Sequence, residues 1–278
     1  MRHRESAELI CAAFAALVVL SASAREFQSG NELASLFEQE VDRRLNLPAA
    51  EKHRYASLLA AELQDFELSG LQSQYFVLVD RNPNVQAVMI YWKSVSGEYF
   101  WVGTSPTSTG RPGEFEHFQT PVGVFEHSIA NFDFRSEGTK NSLGIRGYGD
   151  KGMRVYDFGW QQARRGWGKG GESAMRLQMH STDPDLLERQ IGRPQSKGCI
   201  RIPASLNVFI DRHGLLDADY EWAMLEGKNI WVLRPDREPT PWSGRYLVIV
   251  DSQKATRPDW ARSSLGKSRE PDATREIE

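Results

Sequence analysis

The chain has 278 residues, 40% of them hydrophobic and 26% charged, with 37 acidic against 34 basic side chains. That length and composition suit one large globular domain, or one domain with a small satellite. A formal net charge of -3 and the lack of a basic stripe exclude the usual footprint of a nucleic-acid partner, and give no attraction to an anionic membrane surface.

The first residues read as an export signal. Arg2, His3 and Arg4 give a positive start, Leu9 to Leu20 is an unbroken apolar run, and Ala22-Ser23-Ala24 places small residues before a cut after Ala24. The alternative is an uncleaved anchor, but the run falls short of the roughly 20 residues that span a bilayer. Residues 1–24 are therefore expected to be removed, with no stable membrane insertion afterwards and a periplasmic destination. Cleavage takes Cys11 away and leaves Cys199 as the sole cysteine. In an oxidising compartment a lone cysteine reads as a reactive thiol, as half of an intermolecular bridge, or as a small buried apolar side chain.

Residues 25–73 read as a helical segment. Leu33, Leu36, Phe37, Val41 and Leu45 recur at three- and four-residue steps, Pro48 interrupts, and Tyr55, Leu58, Leu59, Leu63 and Phe66 resume the pattern. From 74 to 252 the character changes to short β-rich runs separated by turns. Tyr75 to Asp80, Val85 to Trp92 and Tyr99 to Gly103 predict an antiparallel meander. Further strands are expected over Gly123 to His127, Met153 to Phe158, Met175 to His180, Cys199 to Ile202, Asn229 to Leu233 and Tyr246 to Val250, with one helix over Pro203 to Leu215. Gly-rich connections cover Thr104 to Pro121 and Gly159 to Ser173, and loops of that length are often functional. Residues 253–278 are polar without an apolar period and read as a disordered tail. The class expected is mainly β with a small helical N-terminal segment.

The chemistry concentrates in Met175 to Pro203, MRLQMHSTDPDLLERQIGRPQSKGCIRIP. His180-Ser181 ends a strand, and Ser196-Lys197-Gly198-Cys199-Ile200-Arg201 follows a polar connection. An imidazole can take the thiol proton of Cys199, and the imidazolium so formed stabilises the thiolate. A glycine before the cysteine lets a carbonyl approach the backbone, where the N–H groups around Gly198 and Cys199 can hold an oxyanion.

This ordered set resembles the active-site signature of the L,D-transpeptidase (YkuD-type) family: His180, then Ser196-x-Gly198-Cys199-Ile200-Arg201. Gln119-Thr120-Pro121-Val122-Gly123-Val124-Phe125 is similar to that family's TPxGxF segment, with Gly103-Thr104 ending the strand before it. The resemblance spans roughly residues 74 to 235. One departure is Lys197, where many members carry His; its ammonium either favours the thiolate or points to solvent.

The resemblance implies a YkuD-like antiparallel β-sandwich or barrel and an acyl transfer through a Cys199 thioester on peptidoglycan stem peptides. The acceptor would be a second stem or a protein amine, and no cofactor is required. Cys199 would be the nucleophile and His180 the general base, with the Ser181 carbonyl orienting the imidazole and Ser196 shaping the loop. Arg201 would bind a substrate carboxylate or hold the loop. His117 and His127, flanking the TPxGxF-like segment, are candidates to line the cleft, and His127 and Lys197 to touch substrate. His53 and His213 read as surface or capping residues. No His/Asp/Glu cluster has the spacing of a metal site. Rival readings are a hydrolytic L,D-carboxypeptidase, endopeptidase or amidase on the same scaffold, and a silent wall-binding module with a structural Cys199.

Overall fold

The computed structural model describes residues 31–262, so the expected signal peptide and the end of the polar tail lie outside the described residues. The description begins in a helix, α1, over 31–40. Leu33 and Phe37 bury its apolar stripe. Val41 and Leu45, expected to extend that stripe, are buried but lie in the irregular segment ahead of Pro48, which disfavours helical geometry in the residue before it. Helix α2 (Ala49–Asp65) starts directly after Pro48 and buries Tyr55, Leu59 and Leu63, one turn apart.

Two sheets carry the rest. The first has the order β3-β2-β1-β9-β4, built from β1 (Gln74–Asp80), β2 (Ala87–Lys93), β3 (Tyr99–Pro106), β4 (Gly123–Glu126) and β9 (Tyr246–Val250). The second has the order β5-β6-β7-β8, built from β5 (Phe134–Arg135), β6 (Arg154–Arg164), β7 (Glu172–Ser181) and β8 (Ile200–Ile202). The protein is thus mainly β. It is not wholly antiparallel as expected: β1 pairs parallel with β9, and β7 parallel with β8.

The two faces of β1 explain its continuous apolar run. Tyr75, Val77 and Val79 enter the core between the sheets, while Phe76 and Leu78 enter a second core under α2. A strand covered on both sides has no face to leave polar. Helix α3 (Ala204–Arg212) closes the inter-sheet core with Leu206, Phe209 and Ile210.

Three expectations need correction. Residues Asn229 to Leu233 form no strand; they lead through a turn at 231–233, where Ile230 and Val232 pack on Tyr220 of an unanticipated helix, α4 (Ala218–Leu225). The connection Gly159 to Ser173 is mostly ladder, because β6 and β7 run on as a hairpin pairing Gln161 with Met175 and Arg164 with Glu172. The start of the polar tail packs on the domain: Trp260 lies edge-on against Tyr55 at 6.0 Å, and Asn84 donates to the Lys254 carbonyl at 2.9 Å. Among the described residues no helix is long and apolar enough to cross a membrane.

A buried ionic cluster ties the second sheet to α3 and α4. Arg154, fully buried, donates to Asp133 at 2.7 Å, to Asp217 at 2.7 Å and to Asp211 at 3.2 Å. His127 adds its Nε2–H to Asp133 at 2.8 Å and its Nδ1–H to the Leu216 carbonyl at 2.7 Å. Removing one member of such a set leaves a buried charge without its partner, which costs several kcal/mol.

Candidate active site

Strand β7 alternates, and the alternation divides core from chemistry. Met175, Leu177 and Met179 enter the inter-sheet core with Ile200 and Ile202, so Arg176, Gln178 and His180 stand on the opposite face. Parallel register sets His180 beside Arg201 and Met179 beside Ile200. Cys199, just before β8, lies with its sulfur 3.8 Å from the Arg176 carbonyl. The cysteine, the histidine and Arg201 are thereby gathered at one end of one strand pair, and Cys199 keeps part of its surface open.

The loop that presents Cys199 is fastened from two sides. Ser196 Oγ accepts from Gly198 N–H at 3.0 Å and donates to the Cys199 carbonyl at 2.5 Å. Thr120, buried in the TPxGxF-like segment, accepts from Gly110 N–H at 2.8 Å and donates to the Gly198 carbonyl at 2.7 Å. Gly198 has φ 134°, and a Cβ there would meet the Met175 sulfur at 2.7 Å, so both the backbone angle and the neighbour require glycine. Because Gly198 N–H is spent on Ser196, it is not free for an oxyanion as expected. The Cys199 N–H, with no backbone or side-chain acceptor among the described residues, is the donor left at the sulfur.

His180 is nearly enclosed, and its Nδ1 meets the Ser181 carbonyl at 2.5 Å. That contact places a proton on Nδ1 and leaves Nε2 as the acceptor. Burial pushes the His180 pKa down to about 4; the Arg201 charge acts the same way, while the Ser181 carbonyl opposes them. Burial likewise pushes the Cys199 thiol up, and the Asp157 charge adds to this against the Gln178 N–H and Arg201. At neutral pH the resting pair is therefore a thiol and a neutral imidazole, and not the thiolate–imidazolium pair the sequence suggests.

Asp157, buried on β6, orders the rest of this face. It accepts from Arg176 Nε at 3.0 Å and from Gln178 Nε2 at 2.9 Å. Gln178 Oε1 in turn accepts from the Tyr148 hydroxyl at 3.2 Å. The Tyr148 ring packs edge-on against His180 with centroids 4.7 Å apart. Burial, then the nearby Cys199 and Asp157, raise the pKa of Tyr148. Nothing in the sequence singled out Tyr148 or Asp157; their only signal was position in a Gly-rich loop and on a strand facing β7. A cavity of about 600 Å³ opens beside Tyr148, lined among others by Phe134, Lys140, Ile145 and Trp231.

The other expected residues divide. Arg201 is half-buried, its Nε meets no acceptor, and its backbone, not its guanidinium, ties β8 to Thr107 and Ser108. That leaves the guanidinium beside Cys199 open to an anion. Lys197 points outward and pairs with Glu116 at 2.9 Å. His127 cannot touch substrate: it is fully enclosed in the ionic cluster, where Asp133 holds its pKa up against burial. His117 is bound to the Arg111 carbonyl at 3.1 Å, and His53 is exposed. His213 caps α3 but is not a surface residue; it is buried against Glu40 at 3.1 Å. Among the described residues no group of three or more His, Cys, Asp or Glu is arranged to hold a metal ion. No protein-family model matches the chain, and no curated protein matches it.

Proposed function

We propose that the chain is an exported, periplasmic cysteine acyltransferase of the L,D-transpeptidase type, acting on peptidoglycan stem peptides. The two sheets are read as the catalytic sandwich of that family, with the mixed pairings described above. The observation that carries the reading is the Ser181 carbonyl on His180 Nδ1, which leaves Nε2 basic at the end of the strand pair that presents Cys199.

In this reading the sulfur attacks the carbonyl carbon of the L-centre of diaminopimelate in a donor tetrapeptide. The S–C bond forms as the thiol proton passes to His180 Nε2, and the oxyanion is met by the Cys199 N–H. Collapse breaks the C–N bond to the terminal D-Ala, whose nitrogen takes the proton from His180. An amine then attacks the thioester, gives its proton through His180 to the departing sulfur and regenerates the thiol. A neutral resting pair suits this route, because charge develops only when the substrate arrives and no buried ion pair must be maintained before it. Water in place of the amine would make the same steps hydrolysis.

Mass spectrometry of purified muropeptides incubated with the protein tests the proposal. Wild type is expected to release D-Ala and carry a thioester adduct on Cys199, with crosslinked products in the presence of an acceptor. Trimmed products alone would assign the hydrolytic reaction. Turnover that survives Cys199→Ala would refute the mechanism.

A further inference from the structure

The tip of the β6–β7 hairpin holds a second cavity, of about 430 Å³, whose lining includes Gln119, Arg164, Arg165, Trp167 and Lys169. Its charge is unbalanced. The neighbouring carboxylates Glu114 and Glu116 are already paired with Arg111 and Lys197. Glu172 stands opposite Arg164 in the ladder yet forms no ion pair with it within 4.0 Å. Arg165 Nε is buried and has no hydrogen-bond partner among the described residues; its guanidinium lies over the Trp167 ring at 6.0 Å and against Gly171. Arg164, Arg165 and Lys169 around one concavity, on a chain whose formal net charge is -3, are a local excess of positive charge with no ion pair of their own among the described residues.

The cavity also adjoins the reactive loop. Gln119 N–H donates to the Arg164 carbonyl and Phe118 N–H to the Lys197 carbonyl, so the segment that forms one wall is bonded to both hairpin and cysteine loop. The Phe118 ring packs perpendicular to Trp167 with centroids 4.8 Å apart, and Phe118 Cβ would lie 3.2 Å from a Cβ on Gly198. Phe118 thus links Trp167, in the wall of the basic cavity, to the residue before Cys199.

We propose that this hairpin cavity is the subsite for the carboxylates of the acyl acceptor, a second stem peptide whose amine must reach the thioester. The inference rests on the acyl-transfer reading above. An acceptor peptide carries several carboxylates near its amine, and forked guanidinium donors match carboxylates in two-point contacts. Holding the carboxylates at the hairpin leaves the uncharged amine free to approach Cys199.

Equilibrium binding to the Cys199→Ala protein separates this from catalysis. The probes are the tripeptide L-Ala-γ-D-Glu-diaminopimelate, which has no terminal D-Ala to donate, and the same tripeptide with its carboxyls amidated. The acidic form is expected to bind about tenfold more tightly, as charge-assisted pairs predict, and to lose the advantage in high salt. Arg164→Gln with Lys169→Gln, both exposed, should erase that difference; Arg165→Gln should do the same. Equal binding of the two tripeptides, or an unchanged preference in both variants, overturns the proposal. So does tripolyphosphate displacing the tripeptide at lower concentration than the tripeptide itself requires, which would assign the cavity to a phosphate polymer. With intact Cys199, the preformed thioester should partition toward the acidic over the amidated acceptor, and less so in the variants. If no thioester forms at all while binding remains charge-dependent, the acyl-transfer reading fails and the anion subsite stands.

Discussion

The protonation state of the Cys199–His180 pair can be measured by alkylation. With the His180 pKa at about 4, the imidazolium fraction at pH 7 is about one in a thousand. An unperturbed thiol with pKa near 8.5 is about 3% thiolate at the same pH, and the burial of Cys199 places it below that. Iodoacetamide should therefore modify Cys199 more slowly at pH 7 than it modifies a model thiol. The rate should climb about tenfold per pH unit past pH 8.5 with no plateau before it. His180→Ala should change this rate by less than about twofold, since it removes no charge, yet should abolish the proposed acyl transfer because the proton acceptor is gone. Asp157→Asn should speed alkylation and Arg201→Gln should slow it, because the first charge opposes the thiolate and the second supports it. A plateau below pH 7 in the wild type that disappears in His180→Ala would refute this account and restore the ion pair.

Acid should destabilise the protein through His180. Its folded pKa lies below the unfolded value of about 6.5, so the unfolded chain binds the proton first, and stability falls as pH drops from about 6.5 toward 4, by roughly 3 kcal/mol in full. His127, with a raised pKa, acts in the opposite sense; the measurement is thus the difference in pH slope between wild type and His180→Gln in urea titrations, and equal slopes would contradict it. Gly198→Ala should cost about 1–3 kcal/mol and most of the activity, read by melting and turnover, because φ 134° and the Met175 contact both oppose a Cβ. Tyr148→Phe, which loses only the bond to Gln178, should keep more turnover than Tyr148→Ala, which also uncovers His180. Arg154→Leu should lower stability by about 3–5 kcal/mol in denaturant melts, because Asp133 and Asp217 are left buried and short of a partner.

Much of the candidate site's geometry was legible because its parts are close in sequence or carried by a periodic strand. The alternation of Met175, Leu177 and Met179 with Arg176, Gln178 and His180 announces a strand with one core-facing side, and the structure puts the second set on the opposite face. Ser196, Gly198 and Cys199 lie within four residues, so the local bonds that shape them could be anticipated in kind. What could not be read was long-range. Thr120 grips the Gly198 carbonyl across 78 positions, and Asp157 reaches Gln178 across 21. The misreading of His127 has much the same origin: position beside a motif says nothing about burial, and although Asp133 lies six positions away, Arg154 and Asp217, which complete the cluster around it, come from distant segments. The protonation state of the pair was not legible because charge pairing is visible in a sequence whereas desolvation, the larger effect at both Cys199 and His180, is a property of the packed state.

The same packing explains why site and fold are hard to separate in this protein. Strand β7 supplies core side chains on one face and His180 on the other, so a one-residue slip in its pairing would bury the chemistry and expose the core at once. Its register is held by β6 on one edge and by the three pairs to β8 on the other. The ionic cluster supplies the remaining restraint, since Arg154, at the start of β6, is bonded to Asp133, Asp211 and Asp217 and cannot shift without breaking several buried contacts together. A variant that weakens that cluster without unfolding the chain should therefore lose the alignment of His180 with Cys199 before it loses secondary structure.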